Sequence, residues 1–105
     1  MKVCVITGAS SGIGYATARL FSERGYRVYG ISRRSELRAD VKNYGEIKGA
    51  IERVVEKEGG LDILVVNAGI ARVGYVEEFE ISDWLEVINT NLNGAFYTVK
   101  AALPH

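Results

Sequence analysis

The stretch that decides the fold joins an apolar run to a helical pattern and reads Thr7-Gly8-Ala9-Ser10-Ser11-Gly12-Ile13-Gly14. Before it, residues 2–6 form a short apolar run rich in β-branched side chains, which predicts a buried strand. After it, residues 12–24 place apolar side chains at helical spacing, and a glycine follows at position 25. A strand, a glycine-rich turn and a helix in this order are typical of a phosphate-binding loop.

Each small residue of this loop has an expected task. Gly8 allows a tight turn, Gly12 allows a ligand to approach the backbone, and Gly14 lets the helix pack closely on the strand. Ser10 and Ser11 add hydroxyl donors at the positive end of the helix. A Walker-type loop is excluded because no Lys follows Gly12. The alternative is a glycine-rich turn that binds nothing.

The rest of the chain continues to alternate. Residues 27–31 and 61–66 are predicted as strands, and residues 37–39 as a very short one. A helix is expected to start at the cap Asn43, with Glu46 completing a variant of the capping box, and to end at Gly59. The last helix is expected to start at Ser82 and to end near Pro104. This order predicts an α/β fold with a doubly wound parallel sheet.

The first and the last helical patterns also predict which side chains are buried. In residues 12–24 the expected apolar stripe is Ile13, Ala16, Leu20 and Phe21. In the last helix it is Leu85, Ile88, Leu92, Ala95 or Phe96, and Val99.

Composition narrows the function classes. The 105 residues are 48% apolar and 25% charged with a net charge of zero, so neither a nucleic-acid partner nor a basic surface is expected. Cys4 is the only cysteine, which excludes an internal disulfide and a cysteine metal site, and we interpret it as a core residue. No run reaches the roughly 18 apolar residues of a membrane span. No signal peptide is expected either, and a cytoplasmic location follows by default.

Three motifs in the correct order resemble the short-chain dehydrogenase/reductase family. The glycine loop matches its TGxxxGIG pattern, Asn67-Ala68-Gly69 matches its NAG motif, and residues 84–94 match its helix with Asn91-Leu92-Asn93-Gly94. The resemblance covers essentially the whole chain. It implies a single NAD(P)-binding domain of Rossmann type over residues 1–105, with strand order 3-2-1-4 and incomplete relative to the family. It also implies hydride transfer between a nicotinamide and a small carbonyl or alcohol substrate.

The residues after the second strand bear on the choice of dinucleotide. NAD-binding folds place an acid there to hold the ribose hydroxyls, whereas NADP-binding ones use Arg for the 2′-phosphate. Here Ser32 occupies the acid's position, Arg33 and Arg34 follow at once, and no carboxylate occurs before Glu36. We therefore expect NADP(H) in preference to NAD(H). The alternative is a solvated surface loop with two arginines.

The resemblance assigns further contacts. It implies that Asp40 contacts the adenine amino group and that Val41 supplies a backbone contact, although Asp40 as a turn or helix cap is equally compatible with the residues. Ala68 and Gly69 would leave room for the ribose and nicotinamide, with Asn67 organising the loop.

Asn91 is the candidate catalytic residue. It interrupts an apolar helix, where a buried amide needs partners, and the resemblance implies that it supports a proton relay through water to a catalytic Lys. Tyr97 and Lys100 are three residues apart rather than the family's four, so we interpret them as surface or interface residues. The family's Ser and Tyr-x-x-x-Lys lie on a fifth strand and its following helix. No metal site is expected. The oligomeric state stays open, although the family often pairs through its last two large helices, one of which starts here, and this is compatible with a homo-oligomer.

Three hypotheses follow for the chain. It is the N-terminal part of a carbonyl or alcohol oxidoreductase, a non-catalytic dinucleotide-binding or sensor module, or a chain kept only for assembly. The fourth strand is apolar enough to be paired on both edges, yet the chain supplies a partner for one, which favours a fragment over a chain covered by another subunit.

Overall fold

The computed structural model describes residues 1–105, in which strands and helices alternate. The strands are β1 (Val3–Thr7), β2 (Arg27–Ser32), β3 (Leu37–Arg38) and β4 (Ile63–Val65). The helices are α1 (Gly12–Glu23), α2 (Tyr44–Glu58), α3 (Ile81–Ile88) and α4 (Gly94–Ala102). A 3-10 turn, Val76–Glu78, precedes α3, and a π-helical segment, Asn89–Asn93, joins α3 to α4. None of these helices has the length and apolar character that a membrane span requires.

The four strands form one parallel sheet in the order β3-β2-β1-β4, which confirms the predicted α/β fold and strand order. Val5 in the central strand is in register with Tyr29 of β2 and Leu64 of β4. The chain order reverses at β1, between β2 on one side and β4 on the other. In open α/β sheets this switch point opens a crevice at the carboxyl ends of the strands.

Alternate residues of β1 face opposite sides of the sheet, as strand geometry requires. Val3 and Val5 join a buried cluster with residues of α2 and the end of α4. Cys4 and Ile6 join a smaller cluster beneath α1. All of β1 is buried, Cys4 included, because helices cover both of its faces.

The helix α2 follows the sequence closely. The Asn43 side-chain oxygen accepts the backbone N–H of Glu46 at 3.1 Å, and Gly59 ends the helix in the left-handed conformation with φ 85°. The capping box is only half formed, because the Glu46 carboxylate accepts the backbone N–H of Asp40 at 3.1 Å instead of that of Asn43. This bond ties α2 to the turn after β3.

The helix α1 turns a different face to the sheet from the one predicted. Gly14 is buried, and Ala18 and Phe21 pack against the cluster below the helix. Ile13, Ala16 and Leu20 are exposed, so the predicted stripe was wrong at these three positions. Both sets of apolar residues recur at helical spacing, and Gly14 decides between them because it has no side chain to hold the helix away.

The last helical region differs from the prediction in its start and in its buried face. It begins at Ile81 with Glu80 in the cap position and no side-chain cap, so the expected cap Ser82 was wrong. Most of the expected stripe is exposed, and the prediction was wrong at Leu85, Leu92, Phe96 and Val99. The buried residues are Thr90, Gly94, Thr98, Ala101 and Ala102.

The π-helical segment accounts for the change of face after Ile88, whereas Leu85, which precedes the segment, is exposed as well. A π turn holds more residues than an α turn, so a stripe drawn at α spacing loses its phase on crossing Asn89–Asn93. Small residues then allow α4 to pack closely. A Cβ on Gly94 would lie 2.8 Å from Val41 Cγ2, which shows how near the turn after β3 comes to this helix.

Candidate cofactor site

A cleft of about 550 Å³ lies at the carboxyl ends of the strands, where the loops after β1, β2, β3 and β4 meet. The expected cofactor residues that line it are Gly8, Ser10, Ser11, Gly12, Ile13, Ser32, Arg33, Arg34, Asp40, Val41, Asn67, Ala68 and Gly69. Gly14 lies beneath the cleft instead of lining it. The sheet therefore brings together residues that are up to sixty positions apart in the chain, as the switch point of an open sheet does.

The loop after β1 is shaped by close backbone contacts. Gly8 has φ +68°, and a Cβ there would lie 2.8 Å from the Ala68 Cα. A Cβ on Gly14 would lie 2.1 Å from the Gly8 carbonyl oxygen and 2.4 Å from Asn67 Nδ2. Side chains at either position would push α1 and the loop after β4 apart, so both glycines hold the floor of the cleft together.

Gly12 has a different surrounding. Its φ is +58°, yet no heavy atom lies within 4 Å of the position that a Cβ would occupy. The space above this backbone is open, which is what a ligand needs in order to approach the peptide groups. Beside it α1 begins with no side-chain cap and no acidic residue in its first turn, so its N-terminal dipole faces the cleft uncompensated. The donor set fits a pyrophosphate.

Thr7 and Asn67 lock the first and fourth loops to each other. The Thr7 hydroxyl accepts the backbone N–H groups of Asn67 and Ala68, both at 3.1 Å. The Asn67 amide donates to the carbonyl oxygens of Thr7 and Gly8 at 3.1 and 3.2 Å. Asn67 thus organises the loop, and Thr7 does so equally, although the sequence analysis quoted Thr7 only as part of a motif.

The loop after β2 is organised by Ser32. Its hydroxyl accepts the backbone N–H groups of Arg34 and Ser35 at 3.1 and 2.8 Å and lies 2.6 Å from the Ser35 hydroxyl. No helix follows β2, and this short turn replaces it. Arg33 and Arg34 are exposed and form none of the ion pairs in the molecule. Both guanidinium groups are therefore free to meet an anion.

The loop after β3 adds charged groups that the sequence analysis did not anticipate. Lys42 and Glu86 also line the cleft, and Lys42 Nζ lies 2.7 Å from the Glu86 carboxylate. The hydrogen bond that Lys42 donates to Glu86, and then the charge of Asp40, raises the pKa of Lys42 above its usual value. The Asp40 carboxylate accepts the Lys42 backbone N–H at 3.0 Å, so Asp40 caps the turn and lines the cleft at once. No spacing signal links residues 44 positions apart.

Asn91 differs from the prediction in one respect. The residue is exposed rather than buried, but its amide group has hydrogen-bond partners, as predicted. Its oxygen accepts the Ile70 N–H and its nitrogen donates to the Ile70 carbonyl oxygen, both at 2.8 Å. Asn89 and Asn93 bond to each other on the helix surface. Asn91 stands beside the cleft and holds the loop that forms its wall.

Side chains with catalytic spacing do not border this cleft. Tyr97 packs edge-on against Tyr44, and Lys100 lies 5.6 Å from the centre of the Tyr44 ring. Tyr44 and Lys48 are four residues apart on α2, but neither lines the cleft. No three His, Cys, Asp or Glu side chains cluster as metal ligands.

Comparison with known proteins gives a consistent result. The model of the family described as short chain dehydrogenase matches residues 2–105. The chain is 37% identical to a 3-oxoacyl-[acyl-carrier-protein] reductase of Thermotoga maritima, covering 99% of this chain and 50% of the relative. It is 34% identical to the solved Thermoplasma acidophilum aldohexose dehydrogenase, with a TM-score of 0.93 over 98% of this chain and 43% of that one.

An actinorhodin polyketide ketoreductase solved with NADPH is 35% identical, with a TM-score of 0.92 over 97% of this chain and 46% of its own. The chain thus spans about half the length of the relatives it matches. The matching family model covers nearly every residue of the chain. The chain therefore belongs to the short-chain dehydrogenase family.

Proposed function

We propose that the chain forms the cofactor-binding part of an NADP(H)-dependent oxidoreductase that interconverts a carbonyl and an alcohol by hydride transfer. The observation that carries the proposal is the pair Arg33 and Arg34, which stands unpaired at the cleft where NAD-binding folds hold an acid. A guanidinium fork suits a phosphate dianion, and a carboxylate in its place would repel one. The similar ketoreductase solved with NADPH supports this choice.

The proposed cofactor follows the cleft from one wall to the other. Its pyrophosphate lies at the N-terminus of α1, near Ser10 and Ser11, over the open backbone of Gly12. The Asp40 carboxylate and the Val41 backbone would hold its adenine, and Arg33 and Arg34 would hold its 2′-phosphate. When bound, the nicotinamide supplies or accepts the hydride.

The nicotinamide end of the cleft belongs to the loop after β4. The Thr7 hydroxyl accepts the backbone N–H groups of Asn67 and Ala68, which fixes this loop. Ala68 and Gly69 present little side-chain volume, which leaves room for the ribose and the ring. Asn91 supports the same loop from the helical side, and we propose that it contributes to holding a proton-relay water, as the matching Asn of the family does. The substrate is a small carbonyl or alcohol compound.

Calorimetric titration with NADPH and NADH tests the cofactor assignment. We expect NADPH to bind more tightly, and Arg33→Ala to weaken NADPH by about tenfold while leaving NADH nearly unchanged, because a charge-assisted hydrogen bond is worth roughly 1.5–3 kcal/mol. The matched control is Arg53→Ala, which removes an exposed arginine on α2 away from the cleft. Equal or tighter binding of NADH would contradict the proposal.

A turnover measurement separates enzyme from sensor. Since no Tyr-x-x-x-Lys pair borders the cleft within residues 1–105, we expect this chain alone to bind NADPH without reducing a ketone. Carbonyl reduction by the purified 105 residues would contradict that expectation. A longer reading frame that contains a Ser and a Tyr-x-x-x-Lys supports the oxidoreductase, and its absence supports a non-catalytic dinucleotide-binding module.

A further inference from the structure

One ammonium group bridges two carboxylates at the adenosine end of the cleft. Lys42 Nζ lies 2.7 Å from Glu86 Oε1 on α3 and 3.8 Å from Asp40 Oδ2 in the turn after β3. All three side chains line the cleft. The bridge connects the turn at residues 39–43 to the helix that leads into the π-helical segment.

Both oxygens of Asp40 are directed at Lys42. Oδ1 accepts the Lys42 backbone N–H at 3.0 Å, and Oδ2 is the atom that faces Nζ. The backbone of Asp40 is held separately, since its N–H donates to Glu46 and its carbonyl oxygen accepts from Asn43 at 2.9 Å. The main chain is therefore fixed by α2. The side chain of Asp40 is held by Lys42, at Oδ1 by the backbone N–H and at Oδ2 by the charge of the ammonium.

Glu86 determines where that ammonium stands. Lys has a long, flexible stem, and a single carboxylate 3.8 Å away in a half-exposed site does not hold it in one rotamer. The 2.7 Å hydrogen bond to Glu86 does so from the opposite side of the turn. Lys42 and Glu86 both keep about a third of their side-chain surface exposed, so the pair is open to the cleft rather than sealed in the core.

We propose that Lys42, anchored by Glu86, is a positioning residue that aims the Asp40 carboxylate at the amino group of the cofactor's adenine. The inference rests on the proposed function, in which Asp40 meets that amino group. An aimed carboxylate accepts a hydrogen bond from the 6-amino group of adenine and repels the 6-oxo group of hypoxanthine. Lys42 thereby controls a base preference without touching the base.

The test compares NADPH with its hypoxanthine analogue, which carries oxygen in place of the amino group. Dissociation constants are measured by calorimetry for the unmodified chain and for Lys42→Met, Asp40→Ala and Glu86→Gln. We expect the unmodified chain to prefer adenine by about fivefold, as one hydrogen bond of about 1 kcal/mol provides. We expect Asp40→Ala to abolish the preference. Lys42→Met should reduce it without abolishing it, because the backbone N–H of residue 42 still holds Asp40 Oδ1. Glu86→Gln should reduce it less, and Lys42→Arg should keep most of it.

Two controls give the result its meaning. Lys48→Met removes a lysine that pairs with Glu52 on the surface of α2, outside the cleft, and should keep the full preference. The double variant Lys42→Met with Glu86→Gln should be no worse than Lys42→Met alone, because the two residues act through one bond. If Lys42→Met fails to fold, Glu86→Gln and Lys42→Arg still report on the bridge.

The outcomes separate this inference from the function beneath it. Failure of the unmodified chain to bind NADPH overturns the proposed function. Binding with no adenine preference, or a preference that Lys42→Met leaves undiminished, overturns only the role of Lys42. If Lys42→Met weakens the binding of NADPH but not that of NADH, the role of Lys42 is also overturned, because that pattern marks a direct ligand of the 2′-phosphate.

Discussion

The side chain of Asn91 forms two hydrogen bonds with the backbone of Ile70, one accepted and one donated, each 2.8 Å long. The two residues are 21 positions apart, and their bonds join the π-helical segment to the loop after β4. Because Ile70 lines the cleft, this pair determines the position of one wall. A side-chain amide that both donates to and accepts from one peptide group can be replaced only by a side chain that has a donor and an acceptor in the same places.

Asn91→Asp is expected to lower the free energy of unfolding by about 1–2 kcal/mol, because a carboxylate accepts from Ile70 N–H but repels its carbonyl oxygen. Urea unfolding measures the change. Asn89→Ala is the control, since it breaks only the exposed bond to Asn93 and should cost less than about 0.5 kcal/mol. Equal effects for the two variants would show that the bonds to Ile70 contribute little.

Gly14→Ala is expected to destabilise the chain by about 3 kcal/mol, because its Cβ would stand 2.1 Å from the Gly8 carbonyl oxygen, a backbone atom that cannot swing aside. The control is Gly49→Ala on α2, where nothing lies within 4 Å of the added Cβ. That variant should gain about 0.5–1 kcal/mol from helix propensity. The two midpoints in urea should therefore move in opposite directions, and a shift of the same sign would contradict the packing described for α1.

Thr7→Val is expected to lower the free energy of unfolding by about 1–3 kcal/mol, because it removes the oxygen that accepts the backbone N–H groups of Asn67 and Ala68. The Thr7 side chain is fully buried, so water does not replace that oxygen. Thr7→Ser keeps the oxygen and should cost much less. Thermal unfolding of both variants tests the difference. A Val variant as stable as the Ser variant would mean that these bonds add nothing to the loop.

The sheet was predictable because it depends on patterns that are local in the chain. Each of these patterns is formed by residues close together in the chain: the apolar run ending at Thr7, the glycine loop, and the cap at Asn43. The structure contains all three. The same holds for the lining of the cleft, since parallel strands of a switch-point sheet carry their following loops to one edge.

The buried faces of α1 and of the last helical region were not predictable in the same way. An amphipathic stripe shows which residues are apolar, but not which neighbour they meet. The π turn at Asn89–Asn93 has no composition signal, and it shifts the face that α4 buries.

The ion pair between Lys42 and Glu86 was missed for a related reason. It joins a turn and a helix that are far apart in the chain, and each residue by itself is an ordinary surface charge. Glu86 lies on α3, whose chain continues through the π-helical segment into α4, and α4 packs closely on the turn at Gly94 and Val41. Cleft residues supplied by a strand end can be predicted from order, whereas those supplied by a neighbouring helix need the packing angle.

At the other end of the sheet, the Tyr29 hydroxyl donates a hydrogen bond to the Glu58 carboxylate, which also lies 3.4 Å from Arg27 Nε. These contacts join β2 to the last turn of α2. The bond to Glu58, and then burial, raises the pKa of Tyr29 above its ordinary 10.0. A phenol with a raised pKa in the folded chain stabilises it fully below about pH 10 and loses that contribution as the pH rises through the raised pKa.

Tyr29→Phe should therefore lower the free energy of unfolding by about 0.5–1 kcal/mol at pH 8, where the phenol is protonated in both states and donates to Glu58 only when folded. The difference between the two chains should shrink as the pH is raised above 10, because the phenolate no longer donates. Urea unfolding at pH 8 and at stepwise higher pH measures it. Tyr15→Phe, which alters an exposed tyrosine on α1, should show no difference at either pH. A Tyr29→Phe deficit that stayed constant into the alkaline range would mean that the ring's packing, and not its hydroxyl, holds β2 against α2.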